Sequence, residues 1–586
     1  MADFLISLLA GVLASILFDL NNVEIVILLA LLLFWRFFAR APLFDRVERR
    51  WSRFASRRAL AIALAFVVPI ALRLCFLPWV PPPQPWIPDE FSHRLIADTL
   101  SHGRLANPTH PLWRHFESIH IFFQPTYSSA YFPGLGAVLA LGNVLGHDWI
   151  GVLLATGAMC AALLWMLYGF FPPRWALLGG VLAVLRWGVM SYWVNSYWGG
   201  ELTALGGALV LGAWAWTRRG GGWGAGWVLG AGLLMLMYTR PLEGAVFAVP
   251  VAIALLLFAR RRFSNLLRVG FPALCVLAIG LAALGVYDKA VTGDALRIPY
   301  KANQALYGWP LTLPWDKPVQ VEYGNSEMRQ YYEWERCVQY QKSWPGQALK
   351  LSVLHLSPIW RFYFGPALTL PFLWAGRWWR DRRIRLALIC LAVSCVLGLI
   401  IVAYPHYIAA ATGCFLIVIV QALRHARISR RKTTRSGIAR SRVAVAACLA
   451  MLPVRAFVDP ALAHWAKPEY MSFSANGSAK GQERARILQK LQQIPGRHVV
   501  FVQYRRERYR PGGWVYNGAD IDGQRVVWAR DLGAESNREV LRYYPDRRPW
   551  MVRVDDAPGI LLPYDPAMAR ADPHVPVSRE VCPAAP

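Results

Sequence analysis

Along the chain, apolar runs close to the roughly 20 residues that cross about 30 Å of hydrocarbon alternate with short, arginine-rich connections. The runs fall at residues 4–20, 22–39, 58–78, 131–147, 150–170, 174–190, 198–217, 223–239, 242–259, 268–288, 353–376, 384–404, 407–423 and 443–457. This pattern predicts an α-helical polytopic membrane protein with about 13 transmembrane helices. The run at 4–20 lacks a basic start and leads into further membrane segments, so it reads as retained rather than as a cleaved signal.

The connections fix an expected orientation. Arg40 to Arg58 holds seven bases against Asp45 and Glu48, and Arg424 to Arg442 holds eight bases and no acid; both read as cytoplasmic. Arg218–Arg219, the cluster from Arg260 to Arg268 and the cluster from Arg377 to Arg385 mark three more cytoplasmic turns. Residues 79–130, 289–352 and 458–586 then lie outside. Residues 131 to 217 offer four runs where an odd number of crossings is needed. The weakest is 174–190, which starts at Pro172–Pro173 and contains Arg186; it reads as re-entrant or as two short pieces.

After residue 457 the pattern changes. Lys480–Ile494 has the spacing of an amphipathic helix, His498–Tyr504 alternates like a strand, and Gly513–Arg530 suggests two strands around the turn Asn517-Gly-Ala-Asp-Ile-Asp-Gly523. The division is therefore 1–57, two additional N-terminal membrane helices and a basic cytoplasmic loop; 58–457, the transmembrane core with its outside loops; and 458–586, a small extracytoplasmic α/β domain.

Composition agrees with this reading. Of the 586 residues 56% are hydrophobic and only 17% charged, which excludes an ordinary soluble protein. The net charge of +28 sits mostly in the cytoplasmic turns, so it reflects topology and leaves no nucleic-acid surface. The nine cysteines show no C-x-x-C spacing. Cys337 and Cys582 both fall outside, where they either pair or stay as separate thiols.

The outside stretches hold the candidate chemistry. A Pro-rich neck, Pro81 to Pro88, leads into Asp89 and Glu90 at the start of an apparent helix. Acids there serve as N-terminal caps; just outside a membrane helix they also suit deprotonation of a hydroxyl or a divalent cation. The same loop carries His93, His102, His110, His115 and His120 without metal-ligand spacing. In the turn Tyr238-Thr-Arg240-Pro-Leu-Glu243, Arg240 suits a phosphate, or else pairs with Glu243. Ser191 to Glu201 combines aromatic rings with amides and an acid, which suits a sugar or an interfacial belt; Tyr197, Trp198 and Glu201 are its candidates, with Glu243 and His93. Lys301, in a loop read as a cap, is a further phosphate candidate. In the tail, Asp520-Ile-Asp522 reads as a hairpin turn and not a metal motif, and Trp514, Tyr516, Asn517, Trp528 and Arg530 are weak glycan candidates.

A membrane helix running into a loop that begins Asp89-Glu90, then a helix, then Tyr131-Phe-Pro-Gly134 leading into the next membrane segment, resembles the GT-C superfamily of polyprenyl-phosphate-dependent glycosyltransferases, on the protein mannosyltransferase and aminoarabinose transferase branch. The resemblance covers residues 58–423, and Tyr404-Pro-His406-Tyr407 is similar to an aromatic-Pro-His-Tyr signature near the end of such cores. It implies the GT-C fold, Asp89 at the catalytic centre with Glu90 beside it, and an undecaprenyl-phosphate-type lipid donor; Arg240, Lys301, His406 and Tyr407 are the residues read as candidates to hold that lipid phosphate. The two leading helices depart from the pattern.

The expected function is inverting transfer of a sugar from that donor to a glycan, lipid or protein acceptor on the periplasmic face of the inner membrane. No metal is assigned, and a divalent cation is left open as cofactor. A secondary transporter or glycolipid flippase is the alternative; it calls for inverted repeats and mid-membrane ionisable groups. A membrane scaffold is the third reading and makes Asp89 dispensable.

Overall fold

The computed structural model describes residues 21–259, 263–308, 321–342, 344–376, 378–401, 404–428, 434–462, 478–504, 512–554 and 559–570; the expected first segment and Cys582 lie outside them. Among the described residues seven helices are long and apolar enough to cross a membrane: Arg58–Cys75, Asp148–Phe170, Pro241–Phe258, Leu267–Thr292, Arg382–Ile401, Pro405–Arg427 and Gly437–Phe457. Shorter apolar helices cover Asn22–Leu33, Pro133–Val144 and Trp223–Thr239. Exposed Leu274, Ile279 and Leu281 give one of the long helices an outward apolar face.

The count of about 13 is not met by 13 long helices, because several expected segments are broken. Residues 174–190 form the short helix Pro173–Ala183, which passes into a π-helical turn, Val184–Gly188. The irregular backbone that follows, up to Gly200, is almost wholly buried in protein, the condition under which such backbone is tolerated at membrane depth. The expected segment 353–376 breaks at Gly365, whose φ of 58° ends the helix Pro345–Tyr363.

The second leading helix belongs to the core. Glu24 is 1% exposed and lies 3.1 Å from Arg186, while its other carboxylate oxygen accepts from the amide of Ala367 at 3.1 Å. Arg186 also donates to the carbonyls of Phe362 and Arg361. A charge pair buried this deeply requires such full satisfaction.

Two glycines bring the loops together. A Cβ at Gly134 would meet the carbonyl of Tyr238 at 2.5 Å, so the start of the helix Pro133–Val144 lies against the turn that carries Arg240. A Cβ at Gly207 would overlap the carbonyl of Ala410, which seats the 3-10 turn Pro405–Ala411 on the helix Glu201–Thr217.

In the tail, four strands, β1 (Arg497–Gln503), β2 (Val526–Arg530), β3 (Arg547–Arg553) and β4 (Ile560–Pro563), form a sheet in the order β2-β1-β3-β4. β1 is parallel to both neighbours, and β4 is antiparallel to β3. Central β1 is buried on both faces, so a continuous run, Val499 to Val502, replaces the expected alternation. Residues 513–525 form no strand; only Val526–Arg530 joins the sheet.

One sheet face packs Val500, Val502 and Trp528 against Ile487 and Leu491 of the helix Ser478–Gln493. The other packs Val499, Phe501 and Val527 against Val540 and, from the first loop, Leu95, Phe116 and Tyr127. Arg530 locks three segments: it donates to the carbonyl of Glu117 at 2.6 Å and pairs with Glu327 at 2.5 Å. Cys337, on the second-loop helix Ser326–Lys342, is disulfide-bonded.

Candidate active site

The first-loop helix Pro88–Ser101 begins with proline at its first turn, where a missing amide is harmless. Its two leading acids take different roles. Glu90 is buried, and its carboxylate accepts from the amides of Trp86 (2.8 Å), Ile87 (3.2 Å) and Tyr197 (3.0 Å). Burial, reinforced by the charge of Asp89, pushes its carboxyl up to about 7 against the pull of those three amides. Glu90 therefore ties the neck to the 191–200 segment and is no longer grouped with Asp89 as a reacting group. Asp89 is half-buried and accepts a 2.5 Å hydrogen bond from the Tyr131 hydroxyl.

Aromatic and basic side chains gather around this pair. His93, one turn beyond Asp89, stacks on Tyr131 with ring centroids 4.6 Å apart, and its Nδ1 has no hydrogen-bond partner among the described residues. Burial holds His93 at about 3, so the ring is neutral near pH 7. The charges of Asp89 and Arg240 both act on this imidazole. Tyr300 packs on Tyr131 at 5.6 Å.

Arg240 lies 4.3 Å from the centroid of the Tyr407 ring and 3.1 Å from Glu243. The i, i+3 pair expected as the plain structural reading does form; it and the ring face hold the guanidinium at the helix junction. His406 is buried, its Nδ1 2.9 Å from the Tyr192 hydroxyl, and Trp198 covers it at 4.6 Å. Tyr407, His406 and Trp198 thus form one aromatic wall, with Trp198 and Tyr407 half-buried.

Other expected residues lie elsewhere. Lys301 is exposed and donates to Gln304 at 3.4 Å; successive residues of the helix Pro299–Tyr307 point about 100° apart, so Tyr300 faces Tyr131 instead. Tyr197 is 1% exposed, and its hydroxyl donates to the carbonyl of Pro83, so it braces the neck. Glu201 is fully buried, with both carboxylate oxygens unpartnered among the described residues; neither residue presents a surface to a sugar. Arg530 and Asn517 are buried against the first loop, through Glu117 and Tyr127, and Trp528 is buried on the other face of the sheet, against the helix Ser478–Gln493. Asp520 caps its own turn through the amide of Gly523, and Asp522 meets His110 at 3.1 Å. Among the described residues no group of three His, Cys, Asp or Glu side chains is placed to hold a metal ion.

Tyr131 and Tyr192 contact candidate residues, Tyr300 packs on Tyr131, and none of the three was among the individual candidates. Tyr131 carried a signal, its place in the Tyr-Phe-Pro-Gly stretch. Tyr300 and Tyr192 are indistinguishable in sequence from interfacial aromatics.

No family model matches the chain, and no curated protein sequence matches it. Among solved structures it is similar to the Archaeoglobus fulgidus oligosaccharyltransferase complexed with zinc and sulfate, at 12% identity and TM-score 0.44, over 84% of this chain and 67% of that one. ArnT from Cupriavidus metallidurans in the apo state is similar at 13% identity and TM-score 0.44, over 87% of this chain and 98% of that one. The same protein bound to undecaprenyl phosphate gives 15% identity and TM-score 0.44, over 84% and 92%. A likeness at this level carries no statement about chemistry, which rests on the residues above.

Proposed function

We propose that this chain is a membrane glycosyltransferase of GT-C type that moves a sugar from a polyprenyl-phosphate-linked donor to a hydroxyl acceptor at the extracytoplasmic face. The observation that carries it is one aromatic cluster that holds a half-buried carboxylate, Asp89, on the Tyr131 hydroxyl and a guanidinium, Arg240, on the Tyr407 ring, with the charges of both acting on His93. Asp89 removes the acceptor proton as the oxygen attacks the anomeric carbon with inversion. Arg240 stabilises the departing lipid phosphate, and because that leaving group is already an anion, charge stabilisation outweighs acid catalysis. Tyr131 orients Asp89, and the ring faces of Trp198 and Tyr407 suit the apolar faces of a sugar. The donor class is inferred from Arg240 and its surroundings; it is also the class of lipid in the ArnT complex. This ionisable cluster lies at helix ends and loops and does not favour a transporter.

The test is to replace the chromosomal copy by Asp89→Asn and to measure polyprenyl-phosphate sugars by mass spectrometry of extracted lipids. One lipid-linked sugar is expected to accumulate while one sugar disappears from an envelope glycan, with the protein still inserted at normal abundance. Unchanged lipid and glycan profiles would sink the assignment.

A further inference from the structure

The basic stretch between the second leading helix and the membrane helix Arg58–Cys75 folds into a helix of its own, Pro42–Ala55. At about 100° per residue, Phe44, Glu48, Trp51 and Ala55 share one face, and that face packs on the protein. The Trp51 indole donates to the carbonyl of Arg174 at 3.0 Å, and the Tyr168 hydroxyl donates to the carbonyl of Ala55 at 2.9 Å. Glu48 accepts from Arg427 at 2.6 Å and from Arg442 at 2.9 Å, and Asp45 accepts from Arg442 at 2.8 Å. Both acids of the helix are thereby engaged by the other long arginine-rich stretch, so the two stretches lie on the same side of the membrane.

On the opposite face stand Arg46, Arg49, Arg50 and Arg53, at i, i+3, i+4 and i+7, all exposed. Between the two faces, on one flank only, run Leu43 and Val47, 59% and 50% exposed. The other flank carries Asp45 and Ser52, both exposed. Around its axis the helix thus passes from a packed face to an apolar edge, then a basic face, then a polar edge. The apolar edge continues into outward apolar surface at both ends. Phe34 and Phe37 are exposed before the helix, and Leu60 and Val67 are exposed on the membrane-length helix that follows it.

We propose that the helix Pro42–Ala55 is a binding surface for anionic phospholipid headgroups, in the leaflet on the side of the arginine-rich turns. Exposed apolar residues beside a basic face are the pattern of a helix lying in the plane of the membrane surface, its apolar edge sunk to the acyl boundary. Leu43 and Val47 enter that boundary, and the four arginines stand at the level of the phosphates, with Asp45 and Ser52 toward water. With the acids of the helix engaged by Arg427 and Arg442, its four guanidiniums are left to an outside anion, and each gains about 1 kcal/mol near an anionic lipid surface. Arg427 ends the helix Thr412–Ile428, which continues directly from the turn that carries His406. Lipid bound at Pro42–Ala55 is therefore held against the core. The leading segment gains a task that does not depend on what the candidate active site transfers.

The test introduces Val47→benzoylphenylalanine, a photo-crosslinker, into the full-length protein in nanodiscs of phosphatidylcholine with phosphatidylglycerol as the minor lipid, and identifies the adducts by mass spectrometry. Phosphatidylglycerol is expected among the lipid adducts at about three times its share of the disc or more, and added salt should lower that excess. Arg46→Gln, Arg49→Gln, Arg50→Gln and Arg53→Gln combined should bring it down to the bulk share, while lysine at all four positions should keep it, since the attraction is one of charge. Lipid adducts at the bulk ratio in the protein with all four arginines would overturn the proposal, because the arginines would then only set topology. Adducts to a second copy of the chain in place of lipid would overturn it as well and make this face an oligomer contact. Both of these outcomes are read with the arginines intact, so the result stands even where the fourfold variant fails to insert.

Discussion

Two arginine–carboxylate sites lie within one helical core, and they are built on opposite principles. Glu24 and Arg186 face each other at 3.1 Å, both nearly sealed, with the remaining donors and acceptors taken up by Phe362, Arg361 and Ala367. Asp89 and Arg240 share an aromatic cluster but are not each other's partner: Tyr131 holds one, Glu243 and Tyr407 hold the other. A closed pair spends its charge on itself and serves architecture. An open pair, in the proposed function, leaves a base and a cation for a ligand, at the cost of needing other groups to hold each side.

The largest effect that separates the two sites is on stability. Glu24→Gln is expected to lower stability by about 3–5 kcal/mol, because it leaves Arg186 buried without its counter-charge. Thermal unfolding in detergent measures this. The double variant Glu24→Leu with Arg186→Met should recover most of the loss, since replacing a buried pair by apolar groups of similar size is often near neutral. Asp89→Asn should leave the unfolding temperature nearly unchanged while abolishing transfer. A stable Glu24→Gln variant would erase the distinction.

Ligand affinity gives the next contrast. Arg240→Gln should weaken undecaprenyl phosphate binding about 100-fold and Arg240→Lys about tenfold, the latter keeping the charge but losing the forked donors. Folded variants of Arg186 should bind as wild type. Equal losses at both arginines would mean that the lipid does not read the open site.

Only the open side of this comparison was marked in the sequence; the pairing of Glu24 with Arg186 was not. The Pro-rich neck and the acids at a helix start marked Asp89, and the tight turn from Tyr238 to Glu243 marked Arg240. The long apolar helices were legible because membrane length is written in composition. What failed did so for geometric reasons. The break at Gly365 falls inside an expected apolar run, since buried irregular backbone needs the same side chains, whereas the one at Val184–Gly188 was marked beforehand by Pro172–Pro173 and Arg186. Glu90 looks like Asp89 in sequence, yet adjacent helical positions point about 100° apart, and only one of the two faces three backbone amides. The contact between His120 and Tyr331 joins positions 211 apart, a distance no local pattern reports.

Glu90 also predicts a pH dependence. Its folded carboxyl sits at about 7, above its unfolded value near 4.5. Between those values the folded chain holds more protons, so stability falls as pH rises from about 4.5 to about 7 and is flat above, by at most about 3 kcal/mol. Unfolding temperatures measured across this range should decline, and Glu90→Gln should flatten the curve. A wild-type curve that rises over the same range would show the three amides outweighing burial.

The smallest expected effect tests the edge of the open site. Lys301 and Tyr300 are neighbours in sequence, and only Tyr300 packs on Tyr131 and so on the partner of Asp89. Lys301 is exposed, and its contact with Gln304 at 3.4 Å is the kind of surface interaction worth well under 1 kcal/mol. Lys301→Ala should therefore leave undecaprenyl phosphate affinity and transfer within about twofold of wild type. Tyr300→Ala should slow transfer about tenfold by loosening Tyr131, an effect equivalent to about 1.4 kcal/mol. The reverse order, with Lys301 the more sensitive, would move the phosphate subsite off the aromatic wall and onto the cap, and Arg240 would then be left as a structural arginine like Arg186.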